Sequence, residues 1–241
     1  MKSGEAESFI IIKMIKGIAF DLEGTVIDLE TFHHQAHLEV FKKVGLDISV
    51  EEAIKKIDHF IGGPDKEIME DVHKIGYNCM NVDEMLKLDK NFYISQLEKA
   101  QIFPRKGFLE FLTLIRGLGL SYSIGSLTQT KEAIFILEKS GLYNFFPKER
   151  IVLREDVKNA KPFPDVYLET AKRMGIKPEE QLVFEDSHNG VGAAISAGSK
   201  AVGMPVYDIP FVLERLKNSG AYPIFLSWEK IDPVKLLNSL E

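Results

Sequence analysis

Cysteine is nearly absent from this sequence. Cys79 is the only one among 241 residues, so no internal disulfide can form and a reducing, cytoplasmic setting is expected. Cys79 itself is read as a small apolar side chain rather than a reactive thiol. Runs of lysine and arginine are also missing and the net charge is −6. A backbone-tracking nucleic-acid partner is therefore not expected. Long hydrophobic runs are lacking too. The stretch Phe9–Ile12 is too short for a signal-peptide core and far too short to span a bilayer, which excludes a membrane partner on this reading. Repeats and low-complexity segments do not occur. A chain that is 45% hydrophobic and 27% charged suits one substantial core plus a small second one, expected as a monomer.

What is present falls into two patterns. Ile15–Asp21 is a short apolar run closed by a glycine-containing turn, as in a buried parallel strand. Helical periods then fill Thr31–Val44, Val50–Phe60, Lys66–Ile75 and Val82–Lys99, punctuated by Gly45, Gly62-Gly63-Pro64 and Gly76. After Pro104 and Gly107 strands and helices alternate. Leu120–Ser126, Arg150–Leu153, Leu182–Asp186, Ala201–Met204 and Ile224–Leu226 are the strand candidates. Helical patterns at Phe108–Leu118, Thr130–Ser140, Asp165–Met174 and Val191–Ala197 separate most of them. The expected fold is α/β: a Rossmann-like parallel sheet core (14–30 and 103–241) with an inserted all-helical cap (31–102). Residues 1–13 read as an N-terminal extension, either an added strand or an over-long start, since Met14 offers a second one.

The chemistry sits at strand ends, where ligands of such sheets bind. Asp21, Ser126 and Asp186 each close an apolar strand. In Asp21-Leu22-Glu23-Gly24-Thr25, two carboxylates at i and i+2 share a side, and Gly24 lets the backbone turn closely round an anion. The plain alternative is a strand-to-loop transition with solvated acids. Glu185-Asp186-Ser187 places two adjacent acids on a buried strand end, expensive unless neutralised. Helix capping by Asp186 or Ser187 is open as well, but it leaves Glu185 unexplained. Lys161 leaves a loop stiffened by Pro162 and Pro164. Ser126, with Thr128 two residues on, could equally begin an ordinary turn.

Together these segments resemble the haloacid dehalogenase superfamily. Ile18–Asp28 is similar to its first motif, usually Asp-x-Asp-Gly-Thr-x-x-Asp. Lys161-Pro162-x-Pro164-Asp165 and Glu185-Asp186-Ser187-x-x-Gly190-Val191 resemble its third and fourth. The resemblance is nearest to the β-phosphoglucomutase and phosphatase subgroup, and it implies a phosphatase. Asp21 would attack phosphorus, giving an aspartyl-phosphate that water hydrolyses. Glu23 would protonate the leaving oxygen and then activate the water. Ser126, or Thr128 in its place, would donate to the phosphoryl group, Lys161 would balance its charge, and Gly24 and Thr25 would offer backbone N–H groups. The substrate class implied is a small phosphate ester, of the sugar or nucleotide kind.

A charge count adds a metal. Asp21, Glu23, Glu185 and Asp186 face phosphate with only Lys161 opposing them. Each like-charge pair at ~4 Å costs about 4 kcal/mol at an intermediate dielectric. Oxygen ligands and a phosphate substrate favour Mg²⁺, and the resemblance implies that residue 23 would bind it through its backbone carbonyl.

Glu23 stands where the family usually has Asp, and the extra methylene moves the carboxyl by about 1 Å. Enolase-phosphatases of the same superfamily share the Glu, so activity is expected. A phosphomutase is the second reading, weakened because Asp65 takes the place of the arginine that binds a second phosphate. A catalytically weak phosphate-binding homologue is the third. His33, His34 and His37 suggest metal ligands, but further ligands are not evident.

Overall fold

The computed structural model describes residues 15–61 and 63–240. The extension read at 1–13, the start at Met14, and Gly62 of the Gly-Gly-Pro turn lie outside the described residues. Five strands, β1 (Gly17–Phe20), β2 (Ser121–Gly125), β3 (Ile151–Val152), β4 (Gln181–Glu185) and β5 (Lys200–Gly203), form one parallel sheet in the order β3-β2-β1-β4-β5. The chain moves outward from β1 in one direction through β2 and β3, then returns to place β4 on its other side. That reversal opens a crevice at the carboxyl ends of β1 and β4.

Leu29–Gln101 forms one compact unit and the remaining described chain the other. The first holds α1 (Glu30–Lys43), α2 (Val50–Lys56), α3 (Asp65–Lys74) and α4 (Val82–Lys99). Reciprocal capping pairs, Ser49 with Glu52 and Asn81 with Glu84, start α2 and α4. The helix expected over Val50–Phe60 ends at Lys56. His59 donates its N–H to Asp71 Oδ2 at 3.2 Å and sets its ring against the same oxygen at 2.6 Å. That side chain, on another helix, outcompetes the next helical turn.

The second unit adds α5 (Phe108–Gly117), α6 (Thr130–Lys139), α7 (Asp165–Met174), α8 (His188–Ala197), α9 (Pro210–Asn218) and α10 (Pro233–Ser239). Proline opens both α9 and α10, where its missing N–H costs nothing. Ile224–Leu226, expected as a strand, contributes only an isolated bridge between Ile224 and Gly203. Pro223 has no N–H to extend a ladder, and the Leu226 carbonyl accepts instead from Arg105 Nη2 at 3.1 Å.

Alternation along the strands sorts the core by face. In register, Phe20 pairs with Phe184 and Ala19 with Val183. Phe20 and Phe184 stack with centroids 5.6 Å apart, and Phe108, Phe111 and Trp228 close around them. Ala19 and Val183 face the opposite layer, with Val166 and Tyr167 of α7 and Val191 and Ala194 of α8. Asp21 and Glu185 lie two residues beyond Ala19 and Val183, so the same alternation delivers both carboxylates to the α7–α8 side.

Candidate active site

Three sequence-predicted residues are fixed by the last rungs of the sheet. The Asp21 N–H donates to the Phe184 carbonyl at 3.0 Å, and that of Ser126 to Val152 at 3.0 Å. The Glu185 carbonyl accepts from Met204 N at 2.7 Å. These bonds continue the ladders one step past the regular strands, so the side chains leave a stiff edge.

Lys161 joins the carboxylates. Its Nζ donates to Asp21 Oδ1 at 2.5 Å, Glu185 Oε1 at 2.6 Å and the Gly125 carbonyl at 3.2 Å. All three ammonium protons are placed, and the side chain is only 8% exposed. The loop carrying it is braced by Asp165, whose Oδ1 accepts from Asn159 N at 2.9 Å and Nδ2 at 3.1 Å. Glu185 is fully buried and accepts four bonds: Lys161 and the Tyr167 hydroxyl on Oε1, and the Ser187 N–H and hydroxyl on Oε2. Ser187 does cap α8, its Oγ accepting from Gly190 N at 3.1 Å. Capping and orientation of Glu185 thus coexist. A Cβ on Gly190 would come within 1.8 Å of Glu185 Oε1, so this helix approaches the carboxylate only with glycine there.

Glu23 is held from the β2 loop. The Thr128 hydroxyl donates to Glu23 Oε1 and lies 2.8 Å from Ser126 Oγ, while the Thr128 N–H donates to the same Oγ at 3.2 Å. Of the two hydroxyls weighed for phosphate, that of Thr128 is committed to Glu23 in this arrangement.

Gly24 requires a correction. It was expected to offer its N–H to phosphate, but that N–H donates to the Ile27 carbonyl at 2.7 Å. Its contribution is shape: with φ +82°, it leaves room for Asp186, whose Oδ2 a Cβ would meet at 2.2 Å. Thr25 is buried, its hydroxyl donating to Asp186 Oδ1 at 3.3 Å and its carbonyl accepting from Trp228 Nε1 at 3.1 Å. Arg105, which the sequence did not single out, donates to the carbonyls of Gly24 and Met204 at 2.6 Å, and to those of Pro205 and Leu226 at 3.1 Å.

The chain as a whole matches known proteins. The family model for haloacid dehalogenase-like hydrolases fits residues 18–204. The chain belongs to that family. YhcW of Bacillus subtilis is 33% identical over 192 residues, covering 80% of this chain and 84% of its own. The phosphorylated carbohydrates phosphatase of Thermotoga maritima is 28% identical over 191 residues, covering 78% and 84%. A solved haloacid dehalogenase-like protein of Agrobacterium tumefaciens superposes with a TM-score of 0.82 at 25% identity, covering 94% and 100%. This haloacid dehalogenase-like hydrolase falls among the family's phosphatases.

The electrostatics of the hydrolase's site show a shortage of positive charge. Burial, only partly offset by Lys161 and reinforced by Glu185 and Glu23, pushes the Asp21 carboxyl up to about 7. Burial would lower Lys161, but Asp21 and Glu185 outweigh it and raise it above its ordinary value. Oxygens of Asp21, Glu185 and Asp186 lie within 4.8 Å of one another. An all-carboxylate set with a surplus of negative charge fits a hard divalent cation such as Mg²⁺. A second cluster, His37 with Asp65 and Asp89, lies wholly in the helical unit. There Asp89 meets His37 Nδ1 at 2.7 Å. His33 stacks on Tyr93 at 4.0 Å and His34 on Phe60 at 4.5 Å, and burial followed by His37 and His33 lowers His34 to about 4. These contacts build a core. No described helix is long and apolar enough to cross a membrane.

Tyr167 and Arg105 had no local signature. Each acts through a partner far along the chain, and an unremarkable helix position or a proline neighbour does not reveal that.

Proposed function

We propose that this hydrolase is a Mg²⁺-dependent phosphatase of small phosphorylated metabolites, of the sugar- or nucleotide-phosphate class, working through phosphorylation of Asp21. The observation that carries the reading is the buried Lys161 bridge between Asp21 and Glu185 at the mouth of β1 and β4, with Glu23 held beside it. Asp65 stands at the sequence position where the resemblance puts a phosphomutase's arginine, and a carboxylate in place of that cation disfavours the phosphomutase reading.

Asp21, Glu185 and Asp186, with the Glu23 backbone carbonyl, would hold Mg²⁺. When bound, the ion supplies charge neutralisation for carboxylates and phosphoryl oxygens together. The chain's own residues do the rest. An Asp21 carboxylate oxygen forms a bond to phosphorus as the ester P–O bond breaks, and Glu23 gives its proton to the departing oxygen. Before transfer, the Thr128 hydroxyl donates to one Glu23 oxygen, so the acid's own proton sits on the other oxygen, toward the leaving group, while Ser126 accepts from the Thr128 N–H. That leaves Ser126's own proton for a phosphoryl oxygen. Lys161 keeps Asp21 oriented and balances the transferred charge. Water then attacks phosphorus, Glu23 takes its proton, and Asp21 is released with inorganic phosphate.

The test is a screen of phosphorylated metabolites with Mg²⁺, parent against Asp21→Asn. Turnover should appear in the parent and fall by about a thousandfold or more in the variant. Residual activity within about tenfold would overturn the assignment of Asp21.

A further inference from the structure

The first motif of this chain carries its second carboxyl on Glu23, one methylene longer than the aspartate usual in the family. A longer side chain has one more rotor, and an acid–base group that wanders by about 1 Å can lose a hundredfold in rate. The structure supplies a restraint of matching reach. Thr128 Oγ1 donates to Glu23 Oε1. Thr128 is itself fixed on three sides: its N–H donates to Ser126 Oγ at 3.2 Å, its Oγ1 lies 2.8 Å from that same atom, and its carbonyl accepts from Arg154 N at 3.3 Å. Ser126 is 2% exposed and tied to β3 through its N–H. The restraint therefore runs from the sheet, through two hydroxyls, to one carboxylate oxygen.

We propose that Thr128 is the positioning residue for the acid–base group, its hydroxyl holding the long Glu23 carboxyl where the leaving oxygen departs. This rests on the reading of Glu23 given above. It implies a substrate class: esters whose leaving group must be protonated, such as sugar and polyol phosphates, depend on Thr128, whereas activated aryl phosphates depend on it far less.

The experiment is steady-state kinetics on glycerol 2-phosphate and p-nitrophenyl phosphate with saturating Mg²⁺. The variants are Thr128→Val, Thr128→Ala, Thr128→Ser, Glu23→Gln and Glu23→Gln combined with Thr128→Val; the alanine variant serves where valine impairs folding. Thr128→Val should lower kcat on glycerol 2-phosphate by about tenfold or more with KM within about twofold, and lower it much less on p-nitrophenyl phosphate. Thr128→Ser, which keeps the hydroxyl, should recover the glycerol 2-phosphate rate to within about threefold of the parent. In the Glu23→Gln background the valine should add less than about threefold, because the group it positions has gone. Equal losses on both substrates, failure of serine to rescue, or an undiminished effect beside Glu23→Gln would each overturn the proposal. The assignment of Glu23 would survive those outcomes. A Glu23→Gln variant without leaving-group selectivity would overturn that assignment and this proposal together.

Discussion

Asp21 and Lys161 lie 2.5 Å apart, yet burial leaves the Asp21 carboxyl raised to about 7. A carboxyl with a raised folded value binds its proton more tightly when folded. The stability it contributes is fully present below the unfolded value near 3.8 and is lost as pH rises through about 7. Over that span the loss reaches at most about 4 kcal/mol. In EDTA, the parent should therefore lose thermal stability between pH 5 and pH 8 more steeply than Asp21→Asn, on the order of 1 kcal/mol or more between them. Parallel melting curves against pH would contradict that. If the loop is built for the longer side chain, Glu23→Asp should not raise kcat even though it restores the commoner residue. A gain of about tenfold, roughly 1.4 kcal/mol of barrier, would show instead that Glu23 is a remnant. Asp21, Glu185 and Asp186 were legible in the sequence because charge at the end of an apolar strand is costly and therefore conspicuous, and Lys161 because two prolines stiffen the loop that carries it. Thr128 was visible only as a substitute for Ser126, since nothing local announces that its proton belongs to a side chain 105 positions away.

The loop Asp21–Asp28 is an element in its own right, and it is held from outside. Arg105 gathers the carbonyls of Gly24, Met204, Pro205 and Leu226, tying this loop to the segments after β5. Lysine offers a point charge and cannot span four acceptors with a planar fork. Arg105→Lys should cost about 2–4 kcal/mol in denaturant unfolding and lower kcat through a displaced Asp186, with a change under about 0.5 kcal/mol counting against this tie. Elements that follow a single period were readable: β1, β4, α4 and α7 lie where apolar runs and helical spacing put them. Ile224–Leu226 was not, because its β-like composition says nothing of the arginine that takes its carbonyl. Val50–Phe60 likewise kept a helical pattern while Asp71 drew His59 out of the helix. Both departures come from a side chain distant in sequence.

In the whole molecule, the sheet's reversal at β1 and β4 gathers Asp21, Glu185 and Asp186 at one edge, and under the proposed function their surplus charge makes the enzyme depend on a cation. Activity should vanish in EDTA, return with Mg²⁺ and be opposed by Ca²⁺, which prefers more oxygens at longer distances. Mg²⁺ at about a hundred times its dissociation constant should also stabilise the folded enzyme by about 2.7 kcal/mol. Unchanged activity and melting after exhaustive chelation would contradict both. The most direct test is mass spectrometry of enzyme quenched in acid during turnover of a good substrate. One phosphoryl group should appear on the peptide containing Asp21, be removed by hydroxylamine, and be missing from Asp21→Asn. Rapid turnover with that peptide unmodified, or with the phosphoryl group on another residue, would contradict the role given to Asp21.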